Sequence, residues 1–392
     1  MALIYFDNCV TSQPAPEVIE AMLPYMREKF WFPANYVRHG SVIAADIDNW
    51  RRTVADSLGA RPGEIHFTRG GTSANNLAIK GFVTANAANG SHIICSVVDY
   101  PDILTNAAFF EQSGFEVSYI SCDRDGRVNL DELRDSLRED TILVMTTLAN
   151  HTVGTIQDVR AMRGILDAAG SQAKLLVDAG QAYARMPIDV NDPAIDMLTV
   201  SAHKIHGPQG VGALYVRKGV HLAQMMHGIN RVDSLETGGV SIAGMAGFAR
   251  AVELAFDDLP GAIAHIRALS DYLLDRIESA IPHTMLNGPR GEERISHNIN
   301  VSFDYIEGEA MMMMLSLQDI VVATGSACAS QGLKTNYVMI AMGRTHEQSH
   351  GSMKFTLSRY NTREEIDLTV EKLAGIVAEL RRRSPLYNPE NE

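Results

Sequence analysis

Val200-Ser-Ala-His-Lys-Ile-His-Gly-Pro-Gln-Gly-Val-Gly212 sets one lysine, Lys204, between two short apolar runs. The first run is Met197-Leu-Thr-Val200 and the second is Gly212-Ala-Leu-Tyr-Val216, with a glycine-rich turn between them. Working outward, similar runs recur at Ile93-Ile-Cys-Ser-Val-Val98, Glu116-Val-Ser-Tyr-Ile120, Thr141 to Thr147 and Lys174-Leu-Leu-Val-Asp178. Amphipathic stretches such as Leu130 to Arg138 and Arg160 to Ala169 separate them. Apolar strands alternating with helices predict an α/β fold, a mostly parallel sheet covered on both faces. Ligands of such sheets bind beyond the strands' carboxyl ends. Asp178 and Ser201 both fall at such ends. After Asp258 the pattern changes to a long helix over Ile263 to Ile281, a strand over Asn298 to Phe303 and another over Met353 to Leu357. This predicts a large α/β domain over 15–258 and a smaller α+β domain formed by 1–14 and 259–392.

The strand ending at Asp178 continues Ala-Gly-Gln181, an acid and an amide three residues apart. A lysine and an acid at the ends of two strands suit pyridoxal phosphate. The lysine amine bonds the cofactor aldehyde, and the acid keeps the pyridinium nitrogen protonated so that the ring draws electrons. Gln181 is placed for the ring hydroxyl, and Ser201 and His203 for the phosphate. Ile65 to Thr72 reads strand, glycine turn, helix, and the free N–H groups of a first helical turn attract an anion. Gly71 and Thr72 are therefore further phosphate ligands. The glycines at 207, 210 and 212 are not a dinucleotide fingerprint, because they lead into a strand rather than out of one.

Ser-x-His-Lys at 201–204, Asp-x-x-Gln at 178–181 and the order of the surrounding motifs resemble the class V aminotransferase family. The likeness is nearest to its cysteine desulfurases and runs from Tyr5-Phe-Asp-Asn8 to Tyr360 through Asp367. It implies the pyridoxal phosphate transferase fold of type I, with a seven-stranded sheet, and a homodimer with sites near its interface. It also implies that L-cysteine is the substrate, that Lys204 removes its α-proton, and that a reactive thiol carries the sulfur to an acceptor protein. That thiol is Cys328. It lies in Ile320-Val-Val-Ala-Thr-Gly-Ser-Ala-Cys-Ala-Ser-Gln-Gly332, where small residues replace the bulky neighbours expected of a core cysteine. Cys9, Cys95 and Cys122 sit in apolar or strand-like contexts and read as inert.

Several positions depart from the family, and they cluster around the substrate. Tyr100 stands for the histidine that stacks on the ring and handles protons, with a pKa near 10 in place of about 6.5. Lys354 stands for the arginine that clamps the substrate carboxylate, keeping the charge without the two-pronged geometry. Arg359 is either a second cation for that carboxylate or a surface charge. Gly239 stands for a threonine that contacts the neighbouring subunit's phosphate. Asn150 is expected to reach the ring hydroxyl and the substrate, and His151 to be structural. These changes leave open a carbon–sulfur or carbon–selenium lyase, or another β-elimination on a modified amino acid, as well as a scaffold with little turnover.

The net charge of −13 and the lack of a long basic run argue against nucleic-acid binding. Arg381-Arg-Arg383, the one basic cluster, suits a helix C-terminus or a docking partner. No basic-then-apolar leader and no apolar stretch of about 18 residues are visible, so no membrane span is expected. Four scattered cysteines without Cys-x-x-Cys spacing give neither a disulfide framework nor a metal site and fit a reducing cytoplasm.

Overall fold

A computed structural model describes residues 3–33, 38–228, 235–237, 241–324 and 335–387. Cys328 and Gly239 lie outside them. The elements run β1 (Ile4–Tyr5), α1 (Pro16–Arg27), α2 (Arg38–Asp56), β2 (Ile65–Thr68), α3 (Gly71–Asn86), β3 (His92–Ser96), α4 (Pro101–Gln112), β4 (Glu116–Ile120), α5 (Leu130–Ser136), β5 (Thr141–Thr147), α6 (Val159–Ala168), β6 (Lys174–Asp178), β7 (Met197–Ser201) and β8 (Gly212–Val216). They continue with α7 (Ile242–Phe256), α8 (Leu259–Ala280), β9 (Thr284–Leu286), β10 (Asn298–Phe303), α9 (Gly308–Ser316), β11 (Ile320–Val321), β12 (Ala323–Thr324), α10 (Tyr337–Ala341), α11 (His346–His350), β13 (Ser352–Thr356) and α12 (Arg363–Arg383).

The predicted sheet is present, with seven strands in the order β2-β8-β7-β6-β5-β3-β4. Only β8 runs against the others, because it pairs antiparallel with both β2 and β7. The strands β3, β5, β7 and β8 are buried at every position, and β6 at every position after Lys174. That is why they read as continuous apolar runs rather than alternating ones. Helix α3 packs on the face made by β2, β7 and β8. One apolar core lies between α3, α4 and the sheet, and a larger one lies on the other face under α1, α2, α6 and α7.

A second sheet, β12-β13-β10-β9, is antiparallel. Its own core joins Ile4 and Phe6 to residues of α8, β10, α9, β13 and α12. The chain start thus packs with the last third of the sequence. On its way it crosses the main site. Ser12 N and Oγ both donate to the His203 carbonyl (2.7 and 2.8 Å), and His206 N donates back to Ser12 Oγ at 2.7 Å. The turn carrying Lys204 is therefore pinned from the N-terminal segment. Arg381–Arg383 form the last turn of α12, as expected, and Arg381 is buried and donates to the carbonyls of Asp304 and His283. It secures the end of α12, while Arg382 and Arg383 are exposed. Among the described residues, no helix is long and apolar enough to cross a membrane.

Candidate active site

The sheet places its chemistry at the carboxyl ends of β6 and β7, as the strand pattern requires. Asp178 ends β6 and is buried. Its Oδ1 accepts from Gly180 N at 2.8 Å and its Oδ2 from Asn75 Nδ2 at 2.8 Å. Asn75 is itself fixed by Thr199 Oγ1 at 2.8 Å, so strand β7 orients the amide that orients the acid. Lys204 follows β7 in a short 3-10 turn. Its Nζ lies 5.0 Å from the centre of the Tyr100 ring. A Cβ on Gly180 would stand 3.4 Å from that Nζ and 3.0 Å from Asp178 Oδ1. Glycine at 180 therefore keeps the space between lysine and acid open.

The phosphate cradle is formed by the start of α3. Gly70 precedes the helix with φ +123°, a backbone that favours glycine. A Cβ on Gly71 would sit 2.5 Å from Ser201 Oγ. The helix therefore begins in contact with the serine hydroxyl, with the N–H groups of its first turn lacking intrahelical acceptors. His203 lies beside the cradle. Burial, and then the Lys204 charge, lower its pKa to about 4, so it is a neutral imidazole. An anion cradle, a lysine amine and a carboxylate anchored by two N–H donors together fit pyridoxal phosphate. Gly71→Ala tests the cradle: overpacking of this kind costs about 1–3 kcal/mol. We expect the affinity for the cofactor to fall about tenfold or more in an equilibrium titration, with the secondary structure retained.

Asp99 fixes the wall above the lysine. Its carboxylate accepts from Ser96 N at 2.7 Å and from Thr147 N at 2.6 Å, joining the ends of β3 and β5. Complete burial outweighs these bonds and raises its pKa to about 7. The next residue, Tyr100, donates its N–H to Thr147 Oγ1 at 2.8 Å, which sets the ring over Lys204. Gln181 is buried at the same place and donates from Nε2 to the Cys9 carbonyl at 3.0 Å. Cys9 is thus a buried thiol on the segment that crosses the site, while Cys95 is raised in pKa by burial and Cys122 is raised to about 11.

Lys354 enters from β13 opposite Asn300 and Ala323. It is buried, and its Nζ donates to the His151 carbonyl at 3.3 Å. Asp7 lies within its field; burial raises the Asp7 pKa and the Lys354 charge lowers it.

Two expectations are corrected. Asn150 spends its amide on the chain: Nδ2 donates to the Val98 carbonyl at 2.9 Å, and Oδ1 accepts from Thr152 N and Val153 N at 2.9 and 3.0 Å. It closes the turn after β5 and is not the ligand expected for cofactor and substrate. The neighbouring His151 lies beside Tyr100, with its ring 5.0 Å from the Tyr100 ring and roughly perpendicular to it. Arg359 does not join Lys354. It donates to the carbonyls of Leu254 and Ala255 at 2.9 and 3.1 Å, where it caps the C-terminal end of α7.

Asp102 is a site residue that sequence reasoning missed. It lies in the first turn of α4 and interacts with the side chains of Thr72 and Asn75, and its Oδ2 is buried without a hydrogen-bond partner. An acid at that position looks like ordinary helix-dipole complementation, so nothing in the pattern singled it out.

The class-V aminotransferase family profile matches residues 4–369. The chain belongs to that family. Among its relatives, it is 40% identical to the cysteine desulfurase IscS of Methanosarcina thermophila over 387 residues, covering 99% of this chain and 95% of that one. It is 38% identical to the IscS of Dictyoglomus turgidum, covering 97% and 96% of the two chains. Among solved structures, a NifS-like protein superimposes with a TM-score of 0.91 at 31% identity, covering 96% of this chain and all of the other. A structure of SspA in complex with cysteine gives 0.80 at 27% identity, covering 92% of this chain and all of the other.

Proposed function

We propose that this protein is a pyridoxal phosphate-dependent cysteine desulfurase that takes sulfur from L-cysteine and leaves alanine. The observation that carries the reading is the placement of Lys204 Nζ against the Tyr100 ring and beside Gly180, next to Asp178. Relatives named cysteine desulfurase and a solved relative holding cysteine support the choice of substrate.

Each residue has a defined task. Gly71, Thr72, Ser201 and His203 hold the phosphate, and Asp178 and Gln181 hold the ring. The bound cofactor supplies the electron sink for the pair left when the α-proton departs. Lys204 takes that proton at its ε-amine. Lys354 pairs with the substrate carboxylate, and Tyr100 covers the ring. The Cys328 thiolate attacks the substrate sulfur; the sulfur–sulfur bond forms as the carbon–sulfur bond breaks, and that electron pair stays on the β-carbon, which takes up a proton, while Lys204 returns the α-proton, so that the carbon fragment leaves as alanine. The persulfide on Cys328 is then passed to an acceptor thiol, the role we assign to a partner protein.

The roots of the thiol-bearing segment suit this task. Ala323 and Thr324 of β12 pair with Lys354 and Met353 of β13, and Cys328 follows Thr324 by four residues in the sequence. A homodimer is part of the proposal. It is supported by Met26 and Phe30, 65% and 72% exposed, with Ile19, Phe32 and Val42 exposed around them on α1, α2 and the chain between. A reducing cytoplasm accords with three described cysteines that are all free thiols.

Incubation of the holoenzyme with L-cysteine should release alanine and add one sulfur to the peptide carrying Cys328, both read by mass spectrometry. Pyruvate without the sulfur adduct would contradict the proposal in favour of β-elimination. Lys354→Ala should raise KM for L-cysteine about tenfold or more with a smaller change in kcat, because carboxylate pairing is made before and during the reaction alike. Steady-state kinetics on Lys354→Ala and the wild type measures this.

A further inference from the structure

Helix α4 packs on α3. Its first turn brings the Asp102 carboxyl against two α3 side chains, Thr72 and Asn75. Those two serve adjacent tasks, because Thr72 belongs to the cradle and Asn75 donates to Asp178. Asp102 Oδ2 is buried with no hydrogen-bond partner, and no cation forms an ion pair with the carboxyl among the described residues. The charges that act on it are Asp178 at the end of β6, of like sign, and Lys204 in the turn after β7, of opposite sign; Thr72 and Asn75 carry none. A second acid at the start of α3 is held differently. Glu236 accepts from Ser73 Oγ at 2.5 Å and has Arg69 Nε at 3.8 Å.

A phosphate monoester carries nearly two negative charges at neutral pH. An ionised Asp102 beside Thr72 therefore repels the group that the cradle is suited to hold. Burial already favours the neutral acid, and a bound phosphate acts in the same direction. Thr72 has a single hydroxyl proton. Opposite a carboxylate, that proton is drawn to Asp102 and is lost to the phosphate. Opposite a carboxylic acid, Thr72 Oγ accepts from Asp102 and its own proton is free for the phosphate.

We infer that Asp102 takes a proton from the solvent as the cofactor binds, so that the neutral acid donates to Thr72 Oγ and Thr72 donates to the phosphate. The inference rests on the cradle reading given above. A group charged in the empty cradle and neutral in the filled one makes affinity greatest in acid, and this advantage is lost as pH rises through the filled-state value. Asp102 thus sets how tightly the phosphate is held.

The test titrates the full chain, freed of cofactor, with two probes. One is pyridoxal phosphate; the other is pyridoxal, which has the ring and the aldehyde without the phosphate. Calorimetric titration in two buffers of different ionisation enthalpy, neither a primary amine, gives both the affinity and the protons taken up. Near neutral pH the wild type should take up about one proton more than Asp102→Asn on binding pyridoxal phosphate. Asp102→Asn should bind pyridoxal phosphate about tenfold or more tightly than the wild type, the scale of a like charge removed from beside another. Its affinity for pyridoxal should stay within about twofold of the wild type. An unchanged or weaker affinity for pyridoxal phosphate, an equal shift for both probes, or equal proton uptake by the two proteins would overturn the inference. An acid serving only the α4 dipole would give the first of these. Should Asp102→Asn fail to fold, the wild type decides. It should take up about one proton more with pyridoxal phosphate than with pyridoxal, and equal uptake overturns the inference. None of these readouts needs turnover. A wild type that binds neither probe would refute the cofactor reading, and the inference with it. One that binds pyridoxal phosphate yet makes no alanine from L-cysteine would refute the desulfurase reading alone, and the two titrations would still judge Asp102.

Discussion

Lys204→Ala is expected to lower kcat for L-cysteine by at least three orders of magnitude, the scale for removing a positioned base, and to end covalent retention of the cofactor. The protein should otherwise stay intact. Lys204 is only partly buried, and the turn around it is held by backbone atoms: Ser12 on the His203 carbonyl and Arg185 Nη2 on the Lys204 carbonyl at 3.1 Å. A change of about 1 kcal/mol or less in unfolding free energy is expected, as for substitutions that remove no core contact. The cofactor should still bind, because the cradle and Asp178 are untouched, but dialysis should strip it from the variant faster than from the wild type. Absorbance before and after dialysis reads this directly. A variant that keeps its cofactor and its turnover would remove Lys204 from the chemistry.

Cys328→Ser should separate the two halves of the reaction. A serine hydroxyl does not attack the substrate sulfur at neutral pH, whereas thiolates do. Sulfur transfer to an added thiol acceptor should therefore drop by about a hundredfold or more, on the scale of a lost nucleophile. The cofactor spectrum and the binding of L-alanine should match the wild type, since Lys204, Asp178 and the cradle are unchanged. Sulfur transfer that survived in Cys328→Ser would point to Cys9, the buried thiol on the N-terminal segment. Cys9 shares its carbonyl with Gln181 and its N–H with Thr356 Oγ1 at 3.0 Å, and Cys9→Ser would then be the variant to compare.

The central motifs were legible in the sequence because backbone geometry leaves them little freedom. A lysine after an apolar strand and before a glycine turn has to lie at the carboxyl end of the sheet, and so does an acid that ends such a strand. Lys204 and Asp178 are where that argument puts them. Ser201 beside Gly71 followed the same logic, since a strand end and a helix start meet where a crossover begins. The substrate side was less legible. Asn150 and His151 are adjacent, and the turn after β5 decides which of them faces the site; its torsions answer to Val98, Thr152 and Val153, contacts that no spacing rule contains. Arg359 lies near Lys354 in sequence but beyond the end of β13, where the chain leaves the sheet toward α7. Asp102 was hidden because its contacts come from α3, a separate element. Local pattern reaches the residues whose position follows from one strand and one turn. It does not reach side chains placed by the packing of two elements distant in sequence.

The most direct measurement is the site of covalent attachment. Holoenzyme prepared with pyridoxal phosphate would be reduced with borohydride, digested and analysed by mass spectrometry. The account requires the phosphopyridoxyl mass on the peptide containing Lys204, at that residue and at near-stoichiometric yield. A label on a different lysine, or none above the level seen with unfolded protein, would contradict it.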